Sequence, residues 1–130
     1  MDVNAETSGL PDALGANFAD ELIELRRDYL ADVREKARLM REHGTALSRS
    51  RRFKSSFPVL LFLSHQLKGS GGSLGFPRIS QLAKKLGDEL NQYLESENYP
   101  RQSPAELAES VDRVAEEMER VAADEATKLG

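Results

Sequence analysis

From Phe18 onward, apolar side chains return every three or four positions, at Leu22, Leu25, Tyr29, Val33, Ala37 and Met40. That spacing collects them on one face of a 3.6-residue helix, so the run predicts a long amphipathic helix closed by His43-Gly44. Ahead of it, residues 1–15 scatter Gly9, Pro11 and Gly15 among small and polar side chains with no period, and read as a flexible tail. A second helix is expected from near Ser56, whose hydroxyl can cap it, with Pro58 in the first turn, to about Leu74. Gly75-Phe76-Pro77 interrupts the ladder. The third stripe, Ile79, Leu82, Leu86 and Leu90, is expected to fray in the run ESENYPRQ. Ser103-Pro104-Ala105-Glu106 has the form of a capping box, and Leu107, Val111, Val114, Met118 and Val121 then alternate by four and three. No stretch alternates with the period of a strand. Amphipathic helices joined by short connections predict an all-α fold, an antiparallel up-and-down four-helix bundle, over residues 16–130.

One stretch of the second helix breaks local rules. In LSHQLKGSGGSLGF a histidine is followed by Gly69, Gly71, Gly72 and Gly75, and each glycine inside a helix costs about 1 kcal/mol relative to alanine. Taking His65 as the origin of a helical wheel, Leu60, Leu63, Leu67, Ser70 and Leu74 fall at about 140° to 220°, a core stripe opposite the histidine. His65 then points outward. Lys68, Gly69 and Gly72 lie within about 60° of it, with Leu61 and Phe62 on the same side one turn earlier. Either a neighbouring helix crosses very close to these glycines, or the outward face needs the room.

An imidazole near its reference pKa of about 6.5 is largely neutral near pH 7 and keeps a lone pair for nucleophilic attack. An ammonium one turn away can offset the charge of an incoming phosphoryl group. Glycine lets a partner's loops approach closely, and exposed Leu61 and Phe62 offer that partner apolar contact. The arrangement suits a histidine that receives phosphate: His65 as acceptor, Lys68 and Gly69 beside the phosphoryl group, and Leu61, Phe62, Gly72 and Gly75 as docking surface.

Composition narrows the alternatives. The 130 residues suffice for one domain, and 39% hydrophobic with 31% charged residues describe an ordinary globular chain. A net charge of −4 gives no basic footprint for nucleic acid. The absence of cysteine excludes disulfides and thiolate chemistry, and His43 and His65 are the only histidines, which makes a poor metal site. The longest apolar run, Val59 to Leu63, is too short to cross a bilayer, and the N-terminal residues lack the form of a secretion signal, so a cytoplasmic location is expected. GSGGSLG matches neither a dinucleotide fingerprint nor a Walker A loop, and Lys68 precedes the glycines instead of following them. The run RSRRFK, Arg49 to Lys54, reads as a solvated loop or helix start, and His43 as a helix-end residue favoured by the dipole.

His65, Lys68, Gly69 and Gly75 match the pattern His-x-x-Lys-Gly, five residues, Gly, and Leu74, Ile79, Leu82 and Leu86 follow as core positions. In these residues, over roughly 57–90, the chain resembles the histidine-containing phosphotransfer (HPt) domains of multistep phosphorelays. The resemblance implies that His65 exchanges a phosphoryl group with the aspartates of receiver domains, in response regulators or hybrid histidine kinases, without ATP chemistry of its own. Magnesium would come from the receiver, and Lys68 would offset the added charge. A monomer is expected, because the bundle closes within one chain. At Gly87 the pattern departs: members of the family often place there a glutamine or glutamate that hydrogen-bonds near the histidine, and Asp88 or Glu89, Lys68 or water would have to orient the ring instead. A histidine-kinase phosphoacceptor segment fits less well, since Gln66 stands where an acidic base is usual and the chain after His65 is too short for an ATP-binding domain. A helical module that docks receivers without carrying phosphate is the remaining alternative.

Overall fold

Among the described residues the helices in chain order are α1 (Asp12–Leu47), α2 (Phe53–Ser73), α3 (Pro77–Glu95) and α4 (Pro104–Leu129). The computed structural model describes residues 12–49, 53–95 and 103–129, and the side chains of α1 from Phe18 onward. Pairings fix the directions. Tyr29 meets Ser70 and His43 meets Ser56, so α2 runs back along α1, while Arg41 reaches Asp112 and Glu119 on α4. α1 packs chiefly on α4 and α2 on α3, and the α1–α2 and α3–α4 contacts close the ring into the expected four-helix bundle.

The predicted stripes form its axis. Val33, Met40, Leu60, Leu67, Ile79, Leu86, Leu90, Val111 and Met118 are completely buried. Each large side chain so placed stabilises the fold by about 1.5–3 kcal/mol relative to exposure. Phe53, Phe57 and Tyr93 form an aromatic cluster where α2 begins and α3 ends, with ring centroids 5.4–6.1 Å apart.

Several boundaries differ from expectation. α1 begins at Asp12, so residues 12–15 of the expected tail are helical; residues 1–11 lie outside the described residues. By the register that sets Tyr29 against Ser70 and His43 against Ser56, the first turns of α1 pass the level of the α2–α3 corner and leave Phe18, expected on the buried face, 68% exposed; Leu25, expected there too, is 53% exposed at the level of the last turn of α2. Nor does α1 stop at His43-Gly44. It continues to Leu47 because Gly44 is a crossing point, where a Cβ would lie 2.7 Å from Val111 Cγ1. His43, expected to cap, instead joins α1 to α2 through Nδ1 and Ser56 Oγ at 3.1 Å. α2 starts at Phe53, so Ser56 is an interior buried residue, and Pro58 sits inside the helix, where it offers no N–H to the Lys54 carbonyl.

The α2–α3 corner follows from three residues. The Phe76 amide donates to the Gly71 carbonyl at 2.7 Å and the Gly75 amide to the Gly72 carbonyl at 3.3 Å, the paired bonds of a Schellman ending. This ending needs a left-handed residue, and Gly75 has φ +87°. Pro77 then opens α3, with the Phe76 carbonyl accepting from Ile79 and Ser80 at 3.1 and 3.3 Å. At α4 the predicted cap is present: the Glu106 amide donates to Ser103 Oγ at 3.1 Å. The expected fraying beyond Glu95 falls at residues 96–102, outside the described residues.

Candidate functional site

Two close approaches set the register between α2 and α3. A Cβ at Gly71 would lie 2.8 Å from the Ser80 amide nitrogen and 3.2 Å from the Phe76 carbonyl, and a Cβ at Gly87 would lie 3.3 Å from Ser64 Oγ. Gly71 therefore faces Ser80 and Gly87 faces Ser64. Between antiparallel helices, each step up α2 matches a step down α3, so His65 stands level with Leu86, between Lys84 and Asp88.

Where side chains are small the helices leave a groove of about 260 Å³. Leu61, Ser64, His65 and Lys68 line it from α2, and Ala83, Lys84, Gly87, Asp88 and Asn91 from α3. His65 and Lys68 are exposed, whereas Ser64 is buried at its floor and donates its hydroxyl to the Leu61 carbonyl at 2.9 Å. Among the described residues no side chain hydrogen-bonds the His65 ring or pairs with Lys68. The backbone beneath Lys68 is held, because Ser80 Oγ donates to the Lys68 carbonyl at 2.6 Å. The site thus pairs a fixed frame with a free imidazole and a free ammonium.

The wheel placed His65 opposite the core, and the structure agrees. Leu60, Leu63 and Leu67 are buried, while Ser70 at the stripe's edge and Leu74 just past the helix end are half-buried. Phe62 is 62% exposed outside the groove, and Leu61 is half-buried at its lip. The glycines divide by role. Gly71 belongs to the close crossing and Gly75 to the left-handed turn, roughly 15 Å along the axis from His65. Gly69 has open space around an added Cβ, and at Gly72 the nearest atom would be Ser80 Oγ at 3.8 Å. Both open glycines continue the exposed face that starts at His65.

Asp88 and Glu89 separate. Asp88 lines the groove and holds Lys84 at 2.7 Å, while Glu89 turns to a cavity against α4 with Lys85, Arg113 and Glu117. Glu89 is therefore not a ring-orienting residue. Sequence reasoning missed Ser64, Lys84 and Asn91. Lys84, Gly87, Asp88 and Asn91 follow an i, i+3, i+4, i+7 pattern that marks one face of α3, but only the register against α2 reveals that this face meets His65.

Among the described residues no group of three or more His, Cys, Asp or Glu side chains is placed to hold a metal ion, and no helix is long and apolar enough to cross a membrane. The family model of the Hpt domain matches residues 24–124, so the chain belongs to the Hpt domain family. Domains of this family serve histidine phosphotransfer in phosphorelays, generally with receiver domains, as carriers rather than kinases. No curated protein and no solved structure matches the chain.

Proposed function

We propose that this chain is a phosphorelay intermediate in which His65 takes a phosphoryl group from a receiver-domain aspartate and returns it to another. The observation that supports this most directly is an exposed imidazole at the lip of the α2–α3 groove, one turn from the unpaired Lys68, in a chain of the Hpt domain family. The unprotonated ring nitrogen attacks phosphorus in line with the aspartyl oxygen. The N–P bond forms as the P–O bond breaks, and the electron pair leaves with the aspartate carboxylate. Lys68 lies where it can balance the charge the ring gains. Magnesium and the acidic residues that hold it belong to the receiver. Phe62, Leu61 and the open face at Gly69 and Gly72 form the docking surface, and the carrier acts as a cytoplasmic monomer.

The test is transfer from a phosphorylated receiver to the wild-type chain and to His65→Gln, scored for acid-labile, base-stable label. Label on the wild type alone is expected, with the helical circular dichroism of His65→Gln unchanged because the side chain faces away from the core. Receivers that bind the wild type but leave it unlabelled would make it a silent docking module.

A further inference from the structure

On the reading that His65 carries phosphate, we propose that Lys84 is a second phosphoryl-binding cation and that Asp88 restrains it until the phosphoryl group arrives. The register places this pair on either side of the His65 level, each about 3 Å away along the axis. Gly87 contributes no side chain between them, so the groove stays open from His65 to α3. Lys84 and Asp88 are more than half exposed and joined by one contact of 2.7 Å. An exposed i, i+4 pair of this kind is weak, and it stands in the less favourable order with lysine N-terminal to the acid. A phosphoryl group carries close to two negative charges against the single charge of the Asp88 carboxylate, and so attracts the ammonium more strongly.

Phosphorylation therefore exchanges partners. Lys84 leaves Asp88 for a phosphoryl oxygen and meets Lys68 across the group, one ammonium from each helix. Asp88 is left with a free carboxylate beside a second anion. Loss of the phosphoryl group in water runs through the protonated ring, which is why phosphohistidine is labile in acid. A cation at the phosphoryl group opposes that protonation and lengthens the life of the bond, whereas the Asp88 carboxylate favours it and shortens the life.

The test uses the full chain and a small phosphoryl donor, phosphoramidate, which needs no docking surface. Wild type, Lys84→Ala, Lys84→Arg and Asp88→Asn are phosphorylated, with His65→Gln as control, and the N–P phosphorus resonance is followed at neutral pH and against pH. Lys84→Ala should shorten the phosphohistidine lifetime roughly fivefold and Asp88→Asn should lengthen it. Lys84→Arg should retain most of the wild-type value. The pH midpoint of the phosphorus shift should rise in Lys84→Ala and fall in Asp88→Asn, a response that a purely structural pair would not give. Equal lifetimes and midpoints in all variants, with His65 labelled, would overturn the Lys84 proposal and leave the carrier reading intact. A wild-type chain that accepts no label at His65 would overturn both.

Discussion

Tyr29 joins three parts of the bundle: its ring stacks on Phe76 at 5.9 Å and its hydroxyl shares a hydrogen bond of 2.8 Å with Ser70. Burial raises its pKa above the ordinary 10.0; the Ser70 bond opposes the rise and the charge of Asp32 adds to it. The folded chain therefore keeps this proton at a pH where the unfolded chain has lost it. The resulting stabilisation is complete below about pH 10 and disappears as pH climbs from there through the folded value. Melting temperatures between pH 9 and 11 should fall more steeply for the wild type than for Tyr29→Phe, and parallel curves would show that the tyrosine does not contribute. At this scale the sequence was informative about His65 and Lys68, because one helical wheel suffices to place an outward residue. It was silent about Ser70 as a partner of Tyr29, since that bond joins residues 41 positions apart.

Within α2 the glycines separate fold from function. Gly69→Ala removes a helix-weakening residue where an added Cβ meets nothing, and should raise stability by about 1 kcal/mol, a melting shift of roughly 3–6 °C. Gly71→Ala presses a Cβ onto the Ser80 amide nitrogen at 2.8 Å and should lower it, despite the same gain in propensity. Paired melting curves decide the matter, and a stabilised Gly71→Ala would refute the close crossing. If the outward glycines serve docking, Gly69→Ala should also slow receiver transfer while melting higher. The same element exposes where periodicity fails. The stripes at Val33, Ala37 and Met40, and at Leu60, Leu63 and Leu67, were readable because burial repeats with the helix. The ends were not: Gly44 and Ser56 carry the signs of a stop and a start, but both are used by tertiary partners, Val111 and His43. The Ser103 cap was legible because its partner Glu106 is local.

Across the molecule, the α2–α3 groove and the ion pairs that tie α1 to α4 lie on opposite faces. α1 and α4 are tied by Arg41 to Asp112 and Glu119 at 3.0 and 3.4 Å, while Phe62 stands exposed on the α2 side, making little contribution to the core. Phe62→Ala should leave the melting temperature within about 1–2 °C of wild type and weaken receiver binding several-fold by titration, as loss of an exposed aromatic anchor does. Unchanged affinity would move the docking surface elsewhere. The groove itself could not be read from the sequence, because it exists only where Ser64 and Gly87 come level across two helices. Once they do, every group that lines it, from Leu61 to Asn91, belongs to a single uninterrupted hairpin. The consequence concerns divergence. Substitutions can accumulate in α1 and α4, and the overhang of α1 can lengthen or shorten, without displacing a reacting atom. On the proposed function, selection on the chemistry falls on the α2–α3 hairpin, while the other two helices supply the apolar wall and the polar ties, Tyr29 to Ser70 and His43 to Ser56, that hold it.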